Sequence, residues 1–99
     1  MLNIDKKVND TTLNIALTGR LDTTTAPDLE KELKDSLDGM SAVIIDMSAL
    51  EYISSAGLRV LLSAQKIMNK QGEMKVVHVN ETIMEIFEVT GFSDILTIE

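Results

Sequence analysis

The sequence predicts an α/β fold. The expected architecture is a single domain over residues 1–99, with a mixed, mostly parallel sheet of four or five strands. Three or four helices pack on that sheet, and the first strand is an antiparallel edge. Three observations carry this reading. Two short apolar runs, Ala42-Val43-Ile44-Ile45-Asp46 and Met74-Lys75-Val76-Val77-His78-Val79, have the length and β-branched content of interior strands. Around them lie segments whose apolar residues recur every three or four positions, the period of an amphipathic helix. The two kinds alternate as β-β-α-β-α-β-α-β, an order that calls for right-handed parallel crossovers.

Each element has its own local reason. Ile4, Lys6 and Val8 begin a first strand, and Asn9-Asp10 reads as a turn. Leu13, Ile15 and Leu17 alternate with Asn14, Ala16 and Thr18, which makes a second strand and an antiparallel hairpin. Gly19 is expected to end that strand, leaving Arg20 to Thr25 as a polar loop. Pro27 suits the first helical turn, with Thr25 or a neighbour as cap. Ala26, Leu29, Leu33 and Leu37 then mark an inward helix face, and Gly39 a stop. The strand over Ala42–Asp46 should be buried on both faces, with Met47 to Ile53 as the loop beyond it. A second helix turns Leu58, Leu61, Leu62, Ala64, Gln65 and Met68 inward and stops near Gly72. Asn80 caps a third helix with Ile83, Met84, Ile86 and Phe87 inward, and Gly91 ends it. Ile95, Leu96 and Ile98 form a short last strand. The six methionines read mainly as core gap-fillers, with Met68 or Met84 as candidate exposed contacts.

Composition narrows the function. The 99 residues carry a net charge of −7, with 44% apolar and 25% charged side chains, as a globular chain with one core should. The absence of cysteine excludes a disulfide scaffold, a thiolate metal site and a cysteine nucleophile. An acidic chain without basic clusters does not suit nucleic acid. No apolar run approaches the roughly 20 residues of a membrane span. Met1–Asp10 holds four charged residues and no apolar run, so no leader peptide is expected and the cytoplasm is the default location. Charge is uneven: residues 40–72 sum to +1, against −3 before them and −5 after. The middle third is therefore the least repulsive place for an anionic group or an acidic partner.

Ligands and partners of parallel sheets sit beyond the carboxyl ends of the strands. That edge gathers Gly19–Thr25, Asp46–Ala56 and His78–Glu81. Within it, Ser54-Ser55-Ala56-Gly57 stands at the mouth of the second helix. Two readings stay open at this point. Both serines cap the helix, or one of them is a phosphoacceptor or anion site favoured by the helix dipole.

The stretch from Asp46 to Leu62 resembles the signature of the STAS domain, in particular of the small bacterial anti-sigma-factor antagonists. The family pattern is an acidic residue after a buried strand, an aromatic or apolar pair, then Asp-Ser-x-Gly-Leu opening a helix. Asp46, Tyr52, Ile53, Ser55, Gly57 and Leu58 match it. Gly19-Arg20-Leu21-Asp22 with Thr25-Ala26-Pro27 is similar to the family's first strand-to-helix loop. Asn80, Phe87 and Thr90-Gly91-Phe92 resemble its C-terminal helix. The one departure is Ser54, where the family commonly has Asp, which makes Ser54 a competing acceptor.

The resemblance implies a partner switch without enzymatic activity or a cofactor of its own. The unphosphorylated protein binds an anti-sigma factor and so frees a sigma factor. That anti-sigma factor is also a serine kinase, which uses ATP and Mg²⁺ to phosphorylate Ser55 and release the antagonist. A serine phosphatase restores binding. Asp22, Thr23, Thr24, Ser54, Ser55, Ala56, Gly57, Leu58 and Arg59 are the implied contact residues, and a monomer that neither binds nucleic acid nor inserts into a membrane is the expected state. A STAS subunit regulating a membrane transporter is the alternative within the family. A small serine hydrolase built from Ser55, His78 and Asp46 is a remote one, because Ile53 stands where a nucleophile elbow needs glycine. No phosphate-binding glycine loop of the nucleotide-binding kinds is present.

Overall fold

The computed structural model describes residues 1–99. Two strands, β1 (Leu2–Asn9) and β2 (Thr12–Leu21), form the expected antiparallel hairpin. Helix α1 (Ala26–Ser36) leads to β3 (Ala42–Ile53), α2 (Ser55–Gln71) to β4 (Glu73–Val77), and α3 (Glu81–Thr90) to β5 (Thr97–Ile98). The strands lie side by side in chain order, β1-β2-β3-β4-β5, and every pairing after the first is parallel.

That order decides where the core lies. Successive crossovers of one hand that step the same way along a sheet place every helix on the same face. The burial pattern agrees. Leu13, Val43 and Met74 are neighbours in register, as are Ile15, Ile45 and Val76, and all six are buried. They join Leu29 and Leu33 of α1, Leu58, Leu61, Ala64 and Met68 of α2, and Ile83 and Phe87 of α3 in one core of 23 residues. The opposite sheet face carries Asn14, Ala16, Ile44, Asp46, Lys75 and Val77, all half-buried. The reading of β3 and β4 as strands buried on both faces is thus corrected: one face is covered and the other is open. No helix is long and apolar enough to cross a membrane.

Several boundaries shift for identifiable reasons. Gly19 does not end β2; the strand runs on to Leu21. Its φ of +102° lies in the region that favours glycine, and a Cβ there would strike the carbonyl oxygen of Met1. Met47 to Ile53 is not a loop but the second half of β3. Ala16 pairs with Asp46 and Thr18 with Ala49; Gly19 pairs with Leu50 and Arg20 with Tyr52. Each step consumes one extra residue of β3, so the strand carries two bulges. They convert the inward positions into Met47, Leu50 and Ile53, all buried at a spacing of three that does not read as a strand. Helix α1 ends at Ser36, before Gly39, which turns the following loop at φ +81°. His78, at φ +56°, closes β4 two residues early. A 3₁₀ turn over Phe92–Asp94 shortens β5 to Thr97–Ile98. Of the methionines, Met47, Met68 and Met74 are core, which removes Met68 as an exposed contact. Met40 and Met84 are half-buried and Met1 is exposed.

Candidate functional site

The bulged half of β3 delivers the start of α2 to the end of β2. Leu21 and Ile53 are the last paired residues, both buried, and the Ser54 N–H donates to the Leu21 carbonyl at 2.8 Å. Ser54 then occupies the cap position in extended conformation. Its Oγ accepts from the Gly57 N–H at 3.4 Å, and its carbonyl accepts from Leu58 N at 2.9 Å. A serine hydroxyl and an aspartate carboxylate are about equally good at this task. Ser54 therefore caps α2 as well as an aspartate at this position would. Ser54→Ala should lower stability by about 1 kcal/mol, while Ser54→Asp should retain it; urea unfolding of the three proteins checks this.

Ser55 has a different situation. It is the first residue of α2, its side chain is exposed, and its hydroxyl makes no hydrogen bond within the chain. The two serines that looked interchangeable in sequence are thus separated by structure into a cap and a free hydroxyl. Gly57 follows because nothing larger fits. A Cβ there would lie 2.7 Å from Leu21 Cγ and 2.9 Å from Ile53 Cγ1. Gly57 and Leu58 both face inward, so what they give the site is shape. Ala56 is half-buried and Arg59, one turn beyond Ser55, is exposed.

The β2–α1 loop borders this helix mouth. Asp22 organises it: Oδ1 accepts from the backbone N–H of Thr24 at 3.0 Å and of Thr25 at 3.1 Å, and from the Thr24 hydroxyl at 2.7 Å. The Thr24 hydroxyl is the main reason the Asp22 carboxyl lies below the usual carboxylate range. Thr25 stands at the N-cap position of α1 but does not cap with its side chain. Its hydroxyl accepts from Asp22 N at 2.8 Å and donates to the Arg20 carbonyl at 2.9 Å, locking the loop instead. Thr23 and Thr24 remain exposed. Because the folded Asp22 carboxyl titrates below its unfolded value, its stabilisation is present above about pH 4 and fades as pH falls further. In acid melts, the stability advantage of the parent over Asp22→Asn should shrink below about pH 4.

Thr23, Ala26 and Glu30 from the α1 side and Ala56, Arg59 and Ser63 from α2 line an open groove of about 420 Å³. Glu30 and Ser63 were not singled out from the sequence. The spacing of Ala56, Arg59 and Ser63, three then four residues, is the helical signal that would have found the α2 wall. Across the strand ends, the Arg20 guanidinium lies 4.6 Å from the centre of the Tyr52 ring. That pairing follows from the bulged register and has no signature in the sequence.

Asp46 and His78 sit elsewhere, on the open sheet face. Asp46 Oδ2 lies 3.1 Å from His78 Nδ1, and Oδ1 accepts from Ser48 N at 2.8 Å. The Ser48 N–H is the main cause of a lowered Asp46 carboxyl. Ser55 makes no hydrogen bond to this pair, so the three residues of the hydrolase reading are not assembled. No group of three or more His, Asp or Glu side chains is placed to hold a metal ion.

Residues 3–99 match the model of the STAS domain family. The chain belongs to this family. It is 38% identical over 91 residues to BtrV of Bordetella bronchiseptica, named as an anti-sigma factor antagonist, covering 90% of this chain and 78% of that one. It is 29% identical over 98 residues to the anti-sigma-B factor antagonist of Bacillus subtilis, covering 98% and 90%. Among solved structures, a Mycobacterium paratuberculosis anti-sigma factor antagonist superposes with a TM-score of 0.89 at 24% identity, covering 99% of this STAS domain and 85% of that chain. The Bacillus cell fate determinant SpoIIAA in its phosphorylated form gives 0.75 at 16% identity, covering 100% and 91%.

Proposed function

We propose that this STAS domain is an anti-sigma-factor antagonist, a regulatory protein whose binding is switched off by phosphorylation of Ser55. The observation that carries the reading is the split between the two serines. Ser54 holds the helix, so Ser55 is free to be modified without uncapping α2. The relatives named as anti-sigma factor antagonists support the partner class. The existence of a phosphorylated form of a protein with the same fold supports the kind of switch.

The partner is an anti-sigma factor with serine kinase activity, and it brings the ATP and Mg²⁺. The Ser55 hydroxyl oxygen forms a bond to the γ-phosphorus as the bond to the ADP oxygen breaks. The hydroxyl proton passes to a base of the kinase. The product carries about −1.5 to −2 extra charge at a contact surface. The domain itself tolerates this charge, because a helix N-terminus favours an anion by about 0.3–1 kcal/mol and α2 has no acidic residue in its first turn. A serine phosphatase resets the switch. Mapping the phosphate after incubation with the cognate kinase and MgATP tests the assignment. Modification of Ser55, lost in Ser55→Ala, is the expected result; full stoichiometric uptake by Ser55→Ala would move the site to Ser54.

A further inference from the structure

Arg59 is the one cation lining the groove between α1 and α2, and it forms no ion pair. The carboxylate closest at hand in that groove, Glu30, is held by Lys34 at 3.8 Å instead. Arg20, which borders the same helix mouth, is stacked on Tyr52 and 4.0 Å from Asp22. An exposed guanidinium without a counter-ion, in a chain of net charge −7, needs an explanation.

Its position supplies one. Ser55 and Arg59 are separated by four residues on α2, which places them one above the other on one helix face, with Cβ atoms about 5–6 Å apart. Side chains on a helix lean toward its N-terminus, so position 55 is within reach of the long Arg59 side chain. The side chain at position 55 is exposed and points away from the core. A planar guanidinium matches phosphate oxygens with paired N–H donors.

We propose that Arg59 is the built-in counter-ion of phosphorylated Ser55, folding the phosphate back along α2 toward the groove. The proposal rests on the reading of Ser55 as the phosphoacceptor. It adds that the modified state is an ordered one, with the new charge fixed in place rather than swinging free in solvent. A fixed phosphate at the helix mouth meets an approaching partner in one defined place, so its bulk and charge cannot swing aside. Once engaged, Arg59 is also no longer available to a carboxylate of the partner.

Installing phosphoserine at position 55 during translation tests this without any kinase. The second ionisation of the phosphate is followed by phosphorus NMR in the parent, Arg59→Gln and Arg59→Lys backgrounds. The helix N-terminus acts equally in all three, so the difference between them isolates residue 59. The parent should ionise about half a pH unit lower than Arg59→Gln, with Arg59→Lys between them, as a charge-assisted pair at this spacing allows. The gap should narrow in 1 M salt. Circular dichroism confirms that the variants are folded. Identical titrations of the parent and Arg59→Gln would overturn the ion pair. If the gap is present but phosphoserine at 55 leaves binding to the anti-sigma factor unchanged, the counter-ion stands and the switching role of Ser55 fails.

Discussion

Ser55→Asp is expected to fold as the parent does and to bind its anti-sigma factor at least tenfold more weakly. The fully phosphorylated protein should lose about a hundredfold, or about 3 kcal/mol. The asymmetry between folding and binding follows from the site. The hydroxyl at 55 has no partner within the chain, and a negative charge at the first helical position complements the dipole of α2. Inside a packed interface the same charge must be stripped of water and meets whatever anionic groups the partner presents. Ser55→Ala removes only an exposed hydroxyl and should keep the parent's affinity. Titration calorimetry against the purified anti-sigma factor, with melting curves as the control, reads both quantities. Equal affinities for the parent, Ser55→Asp and the phosphoprotein would exclude a switch at this residue.

Gly57→Ala should be the most damaging conservative change near the site. The added methyl would lie 2.7 Å from Leu21 Cγ, a branch point with little freedom to yield, and 2.9 Å from Ile53 Cγ1. Both neighbours are buried where β2 and β3 end. Overpacking of this kind costs about 1–3 kcal/mol, and the better helix propensity of alanine returns about 1 kcal/mol of it. A net loss of up to about 2 kcal/mol is expected in urea unfolding, and Gly57→Val should lose more. Affinity should fall as well, because relief of the clash lifts the first turn of α2 away from the strand ends and takes Ser55 with it. A Gly57→Ala protein as stable as the parent would show that α2 docks less closely than described.

The parts of the fold that were legible in the sequence are those set by local chemistry. Leu13, Ile15 and Leu17 alternate, and they lie in a strand. Asn80 does cap α3, accepting from Ile83 N at 3.0 Å, and Gly91 does end it at φ +81°. What was hidden depended on pairing between distant segments. The extra residues of β3 are visible only against β2, so Met47–Ile53 looked like a loop. The open sheet face was masked because Ile44 sits on it within an otherwise apolar run. The candidate site shows the same division. The helix mouth was found from Ser54-Ser55-Ala56-Gly57, but which serine caps is decided by where Leu21 holds the Ser54 amide. The α1 wall of the groove was missed because Glu30 reads as an ordinary exposed helix residue until α2 lies beside it.

The doubled bulge of β3 makes the span between Asp46 and Ser54 a length gauge. Each place along this bulged stretch has its own facing, so removing one residue there shifts every residue that follows, up to the helix, into its neighbour's place. Ile53 would move from its buried place to the exposed one that Tyr52 now holds, and the serine pair would arrive at Leu21 rotated and short. Substitutions in this span can be absorbed one side chain at a time, whereas insertions and deletions cannot. The region that looks most like a tolerant surface loop is therefore the one in which the count of residues, more than their identity, sets the direction in which Ser55 faces.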